Sequence, residues 1–175
     1  IKEEELKNHL IATIQNNRIS HAQLFLGKLG YGGLPLALGY AQFMNCLNPS
    51  AEDSCGECSS CRKIQKLTHP DLHFTYPVFA VKDVKLCTDL IGQWRDVVIE
   101  NPYLTYALWC NKLEAENKQG NIPAAECREI IRKLSFKSFE AKYKTLIIWL
   151  PEFLGHEGNI LLKLRRILSH RFCKL

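Results

Sequence analysis

The sequence has no long apolar run: no stretch approaches the roughly 18 residues that a membrane-spanning helix needs. Its first residues, IKEEELKNHL, are charged and lack the apolar segment of a secretory signal. It also has no internal repeat and no low-complexity linker. With 46% hydrophobic and 23% charged residues in a chain of 175, the composition is that of an ordinary globular protein with one sizeable core. We therefore expect a cytoplasmic protein that makes no contact with a membrane.

The net charge of +5 is unevenly spread along the chain. The tail KLRRILSHRFCKL, residues 163–175, contains five basic residues and no acidic one, so residues 1–162 sum to zero. A neutral body argues against a large nucleic-acid footprint there and places any such footprint in the basic tail.

Helical and strand patterns alternate along the chain, which predicts an α/β fold with a parallel sheet. Apolar periodicity predicts helices over residues 2–16, 35–47, 62–67, 89–102, 104–116, 124–136 and 158–168. AQLFL (22–26) and LHFTY (72–76) have the length and composition of strands, and KTLIIWL (144–150) is typical of a buried parallel strand. Four aromatic residues are expected to pack the two central helices together, with a partner surface as the alternative: Trp94, Tyr103, Tyr106 and Trp109.

Eight cysteines are many for a reducing compartment, and half of them are clustered. The spacing C-x8-C-x2-C-x2-C, in a segment too polar to be core, predicts a zinc site. Four thiolates leave no open coordination position, so the metal is expected to be structural. The predicted ligands are Cys46, Cys55, Cys58 and Cys61. The remaining cysteines are expected to be small core residues: Cys87, Cys110, Cys127 and Cys173.

The stretch LFLGKLGYGGLPLAL, residues 24–38, has the outline of a phosphate-binding loop. The Walker A pattern needs Lys followed by Ser or Thr, and here those positions are Gly33 and Leu34. What remains is a glycine-rich turn at a helix N-terminus, which attracts anions weakly. The degenerate loop comprises Gly27, Lys28, Gly30, Gly32, Gly33 and Leu34.

The combination of these segments resembles a known family. HAQLFLGKLGYGGLPLALGYAQFMNC followed by CGECSSCRKIQKLTHPDL is similar to the opening of bacterial DNA polymerase III clamp-loader subunits. AECREIIRKLSFKSFEAKYKTLIIWLPEFLGHEGNILLKL resembles their next helix, Walker B strand and Leu-Leu-Lys-x-Leu helix. The resemblance implies a truncated AAA+ domain over residues 1–164, with a P-loop-type parallel sheet flanked by helices. It also implies a zinc module at 46–61, a helical insertion at about 77–121, and a basic tail at 165–175 that follows no family pattern.

Two kinds of subunit in this family carry the zinc module, the γ/τ ATPase and the δ′ type, and the residues here favour the δ′ type. Pro151 and Glu152 stand where the Walker B acidic pair of γ/τ lies, so the Mg²⁺-supporting Asp is missing. The resemblance therefore implies a subunit of the polymerase holoenzyme with no activity of its own, carrying structural Zn²⁺ and little or no ATP. Its implied partners are the γ/τ and δ subunits, the sliding clamp and primed DNA. The alternatives are an ATP-hydrolysing γ/τ-type subunit and a zinc-dependent nucleic-acid-binding module. His69 and Asp71 are interpreted as a turn that leads into the second strand.

Overall fold

The computed structural model describes residues 3–28, 30–79, 84–157 and 172–174. Its helices are α1 Glu3–Gln15, α2 Gly33–Asn45, α3 Ser59–Gln65, α4 Ile91–Glu100, α5 Tyr106–Lys112 and α6 Ala124–Ser135. Its strands are β1 Leu72–Thr75, β2 Val78–Phe79, β3 Gly120–Asn121, β4 Lys144–Ile148 and β5 Phe172–Lys174. Two 3-10 helices lie at Cys87–Leu90 and Pro151–Glu157. None of the helices in these ranges is long and apolar enough to cross a membrane.

A small parallel sheet lies at the centre of the fold. Strand β4 lies between β1 and β5 and is parallel to both. Leu72 faces Thr145 and Thr75 faces Ile148 across the β1–β4 pair. Both strands are buried almost throughout, as expected for parallel strands covered on both faces. The predicted mixed α/β class is confirmed, as are the strands predicted in LHFTY and KTLIIWL.

The strand predicted at residues 22–26 is wrong. Only Ala22 forms an isolated β-bridge, and the segment from Gln23 to Leu26 has no regular structure. Leu24 is 71% exposed and Leu26 is 86% exposed, while Phe25 packs on the core. The segment has the composition of a strand, but in the described part of the chain no strand pairs with it.

The predicted helices match α1 to α6, with shifts at their ends. Helix α3 begins at Ser59, three residues before the prediction, because the Cys58 sulfur accepts a hydrogen bond from the Cys61 N–H and caps it. The helix predicted at residues 158–168 lies outside the described residues.

Three buried aromatic rings join α4 and α5 to the end of β1. Tyr76 stacks on Trp94 with ring centroids 4.1 Å apart, and Trp94 meets Trp109 edge-on at 5.5 Å. The Trp109 Nε1–H donates to the Pro77 carbonyl at 2.8 Å. The predicted packing of the two helices is therefore confirmed for Trp94 and Trp109. Tyr103 differs, because it is 55% exposed in the turn before α5.

The buried carboxylate of Asp71 holds the loop that leads into β4. It accepts backbone N–H bonds from Phe139 at 2.7 Å, Glu140 at 2.8 Å and Ala141 at 2.9 Å. Asp71 is 2% exposed, and its own N–H donates to Nδ1 of the buried His69. The His69 carbonyl also accepts from the Leu72 N–H. The two residues thus form the predicted turn before β1, and Asp71 additionally anchors a distant loop.

The ammonium group of Lys144 holds the other end of the same loop. Its Nζ donates to the carbonyls of Lys133, Phe136 and Lys137 at 3.1, 2.8 and 3.0 Å. Carbonyls at the end of a helix have no partner within the helix, so Lys144 satisfies acceptors that α6 leaves free. Residues 136–141 are therefore fixed through their amides by Asp71 and through their carbonyls by Lys144.

We predict that Asp71→Asn weakens the fold and flattens its acid dependence. Burial alone would raise the pKa of Asp71, but the N–H groups of residues 139–141 and the Lys144 charge hold it below the usual value. A lowered folded-state pKa stabilises the protein above pH ~4 and loses that contribution as pH falls through the lowered value. We expect Asp71→Asn to lose about 2–3 kcal/mol at pH 7, as for hydrogen bonds to a charged group.

Urea unfolding followed by tryptophan fluorescence at pH 7 and at several values below pH 4 measures both effects. The exposed Asp96→Asn is the matched control and should change neither. If the Asp71→Asn protein had the same free energy of unfolding as the wild type at pH 7, the anchoring role of Asp71 would be contradicted.

Candidate metal centre and glycine-rich loop

Four cysteines from three structural elements come together at one point. Cys46 caps the end of α2, Cys58 caps the start of α3, Cys61 lies in the first turn of α3, and Cys55 lies on the connecting loop. Their sulfur atoms all lie within 4.8 Å of one another. In the described part of the chain this is the one cluster of His, Cys, Asp or Glu side chains able to hold a metal ion. The structure thus brings all four predicted ligands together.

The geometry of this cluster suits a tetrahedral metal ion. Zn–S bonds of about 2.3 Å place sulfur atoms about 3.8 Å apart. The Sγ atoms of Cys46 and Cys55 are 3.5 Å apart, and Gly56 (φ 74°) allows the chain to turn back between the ligands.

Backbone N–H groups point at three of the four sulfurs. The Cys46 sulfur accepts from the Cys55 N–H at 3.3 Å, and the Cys55 sulfur accepts from the Cys58 N–H at 3.4 Å. The Cys58 sulfur accepts from the N–H groups of Cys61 and Leu47 at 3.4 and 3.5 Å. Such donors stabilise thiolates, the protonation state that a metal requires.

The pKa values of the clustered thiols are shifted in different directions. Burial opposes ionisation of Cys58, but the N–H groups of Cys61 and Leu47 lower the pKa of this thiol to about 6. Burial and the neighbouring sulfurs of Cys58 and Cys46 raise the pKa of the Cys61 thiol. All four sulfurs can be thiolates this close together only with a cation among them, so the donor set fits a divalent metal.

The other described cysteine side chains are small core residues, as predicted. Cys87, Cys110 and Cys127 are all buried in the hydrophobic core. The side chain of Cys173 lies outside the described residues.

The glycine-rich loop has the backbone of a tight turn but little polar chemistry. Gly27 and Lys28 are exposed, and the Lys28 carbonyl accepts from the Tyr31 N–H at 3.1 Å. Gly30 and Gly32 adopt φ angles of 81° and 102°, which favour glycine. Gly33 begins α2, and Leu34, at the position of the metal-binding hydroxyl, is buried in the core.

A turn from the predicted insertion lies directly against this loop. A Cβ at Gly30 would lie 3.2 Å from Cγ2 of Thr105 and 3.6 Å from the Tyr103 carbonyl oxygen. A Cβ at Gly32 would lie 3.6 Å from Cε1 of Tyr103. The two glycines therefore permit close approach of the turn at residues 103–105.

The residues predicted as a degenerate Walker B lie just beyond β4. Pro151 and Glu152 are exposed and open the 3-10 helix that follows. Next to them the Phe153 ring stacks on Tyr106, with centroids 5.0 Å apart, and the Phe153 carbonyl accepts from the Ile122 N–H at 2.9 Å. The segment from Tyr103 to Tyr106 thus lies beside the glycine-rich loop through Tyr103 and contacts Phe153, the residue after Glu152, through Tyr106.

Sequence reasoning missed a buried carboxylate, Glu126, in the first turn of α6. It is fully buried, and it accepts from the Cys87 N–H at 2.9 Å and from the Thr75 hydroxyl at 3.3 Å. These bonds tie the 3-10 helix Cys87–Leu90 to the end of β1. An acidic residue in a first helical turn is common, so the sequence carries no signal for this role.

Comparison of the sequence with known proteins finds similarity to subunits of DNA polymerase III. A family model for "DNA polymerase III, delta subunit" matches residues 2–164. The chain is 44% identical over 68 residues to the DNA polymerase III delta′ subunit of Bacillus subtilis, covering 39% of this chain and 20% of that protein. It is 36% identical over 79 residues to the delta′ subunit of Pseudomonas aeruginosa, covering 45% and 23%. It is 34% identical over 70 residues to the tau/gamma subunit of Haemophilus influenzae, covering 38% and 10%.

The aligned stretches span less than a quarter of each of these relatives. The family match, in contrast, covers most of this chain. The chain therefore belongs to the DNA polymerase III delta-subunit family, as a member related to the delta′ clamp-loader subunits.

Proposed function

We propose that this chain is part of a non-catalytic δ′-type subunit of a bacterial clamp loader. In this role it supports γ/τ and δ subunits as they place the sliding clamp on primed DNA in the cytoplasm. Residues 1–164 supply AAA+ domain sequence in which the insertion at about 77–121 is an additional element. The family membership supports the proposed place in a clamp loader. The residues of the glycine-rich loop support the proposed absence of catalytic activity.

The contact between Tyr103 and the glycine-rich loop is the observation that carries the non-catalytic assignment. In a working P-loop, glycines leave space for phosphate to approach the backbone. Here the space beside Gly30 and Gly32 is taken by Thr105 and Tyr103. The stacking of Tyr106 on Phe153 holds the same turn against the remnant of Walker B. A nucleotide would have to displace this turn and would then find neither Lys nor an Mg²⁺ ligand.

We assign a structural Zn²⁺ to the four-cysteine cluster. The ion would join the end of α2 to the start of α3 across a loop that has little core of its own. Structural zinc sites contribute about 10–16 kcal/mol in small peptides, enough to order such a loop. With four sulfur ligands the ion has no open position for a substrate.

An ATP-hydrolysing γ/τ-type subunit is the second candidate, because the chain also resembles tau/gamma proteins. Gly33, Leu34 and Pro151 argue against it, since none of them can contact a phosphate or Mg²⁺ through a charged or oxygen-bearing side chain.

We predict one zinc ion per chain, measured by elemental analysis of the purified protein. Cys58→Ser should lose the metal, because Cys58 both binds it and caps α3. The buried Cys110→Ala, outside the cluster, should retain it. Metal that persists when Cys58 and Cys61 are both replaced would exclude the assignment.

We predict that the chain neither binds Mg-ATP at micromolar concentration nor hydrolyses it. Gly33→Lys should restore no turnover, because Leu34 and Pro151 still leave Mg²⁺ without ligands. Adding Tyr103→Ala removes the ring beside Gly32 and should at most allow weak phosphate binding. Titration calorimetry and phosphate release test these variants, with an intact γ/τ subunit as positive control. Micromolar binding by the wild type would overturn the assignment.

We predict that the full-length protein carrying this domain co-purifies with the γ/τ and δ subunits of its own cell. Affinity purification followed by mass spectrometry measures this association. Repeated recovery without either subunit would count against the clamp-loader role, whatever the zinc and nucleotide results.

A further inference from the structure

Two phenylalanines project from the anchored loop at residues 136–141. Phe136 is 56% exposed and Phe139 is 82% exposed. A large aromatic side chain in a loosely held loop could turn inward, but here Asp71 and Lys144 fix the backbone on both sides. The loop therefore holds two aromatic rings in solvent at defined positions.

Basic residues surround these rings, although residues 1–162 carry no net charge. Residues 128–144 contain six basic and two acidic residues, and residues 59–66 contain three basic and no acidic residue. The Lys63–Glu140 ion pair at 2.6 Å joins the two segments on one surface. We call this surface the basic–aromatic face; it comprises Lys63, Lys66, Arg132, Phe136, Lys137, Phe139 and Lys142.

Three cations of this face are exposed to solvent, and one of them, Lys142, has its Nζ 5.2 Å from the centroid of the Tyr143 ring. Lys66, Lys137 and Lys142 are exposed, and within the described residues none of them makes an ion pair. Arg132 is also exposed; it pairs with Glu129 while its guanidinium lies 5.8 Å from the Phe136 ring centroid.

The face lies at the opposite end of the sheet from the degenerate Walker B. The loop precedes Lys144 at the start of β4, whereas Pro151 and Glu152 follow its end. Strand β4 has five residues, so at about 3.3 Å per residue it separates the face from Pro151 and Glu152 by roughly 16 Å. A ligand on this face is therefore distinct from any nucleotide at the glycine-rich loop.

We propose that the basic–aromatic face binds single-stranded nucleic acid. Surfaces that bind single strands without sequence preference combine cations for the phosphates with aromatic rings on which bases stack. Phe139 offers the most exposed ring, and Lys137 and Lys142 lie two and three residues from it. A wholly apolar protein partner would bury these lysines without counter-charges, whereas a polyanion with flat bases uses both features. This proposal rests on the proposed clamp-loader role, which already includes primed DNA, and deepens it by naming the face that contacts a single strand. Its test measures oligo-dT binding and needs neither the partner subunits nor ATP, so its failure is distinguishable from failure of the clamp-loader assignment.

Fluorescence anisotropy with a labelled oligo-dT strand and the full chain tests the proposal. Phe139→Ala should weaken binding about fivefold or more, because one base loses its stacking partner. Lys137→Ala combined with Lys142→Ala should reduce the slope of log K against log salt by about 1.4, since each phosphate contact on a single strand contributes about 0.7. Phe139→Trp should keep the affinity, and its fluorescence should be quenched when the strand binds.

Matched controls separate the face from general charge and from the basic tail. The exposed Ile99→Ala and Lys118→Ala should bind as the wild type does. Phe139→Leu keeps much of the apolar area but should bind like Phe139→Ala, since it lacks a ring. Binding to a duplex of equal length should not respond to Phe139→Ala, because its bases are already stacked. The basic tail is present in every variant, so its salt-dependent contribution to the affinity cancels when a variant is compared with the wild type.

Folding is monitored by thermal melting and zinc content in each variant. Wild-type affinity for oligo-dT in Phe139→Ala and in the double lysine variant would overturn the proposal. The remaining DNA binding would then belong to the tail, and the exposed rings would be left for a protein partner. Equal loss of single-strand and duplex binding in Phe139→Ala would also overturn it, because stacking would not be the cause.

Discussion

The architecture depends on two buried opposite charges at the amino end of the sheet. Asp71 stands just before β1 and Lys144 begins β4, and the Asp71 carbonyl accepts from the Thr145 N–H at 2.8 Å. Burial lowers the pKa of Lys144, and the Asp71 charge opposes this shift. Asp71 is compensated by three N–H groups of the loop at residues 136–141, and Lys144 by two carbonyls of that loop and one of α6. Removing either side chain would leave its three backbone partners without these hydrogen bonds, so the loop, the end of α6 and the β1–β4 pairing are linked.

The loop connects this constraint to the cysteine cluster. Lys63 on α3 pairs with Glu140 of the loop, and α3 begins at the cysteine ligand Cys58. A metal that orders α3 therefore also positions one edge of the basic–aromatic face. Under the proposed zinc assignment, the ion would support this surface and would offer no open coordination position for a reaction.

At the opposite end of the sheet, aromatic side chains pack beside the glycine-rich loop. Gly30 and Gly32 keep the conformations of a tight loop, yet their open space receives Thr105 and Tyr103. Tyr106 then stacks on Phe153 beside Glu152. The same segment continues into Trp109, which packs on Trp94 in the core. The turn is consequently part of the folded body, and a nucleotide would compete with the packing of α5.

The sequence by itself determined what short-range patterns encode. Cysteine spacing identified the four cysteines that cluster in the fold, apolar periodicity identified the helices, and buried apolar runs identified β1 and β4. The AQLFL prediction failed because a strand needs a neighbour with which to hydrogen-bond, and composition does not supply one. Only the tertiary structure decided the contacts between distant residues, such as Asp71 with Phe139, 68 positions apart. It also showed a basic face in a body of zero net charge, because folding brings residues 59–66 and 128–144 together while a sum over the sequence averages them with acidic segments elsewhere.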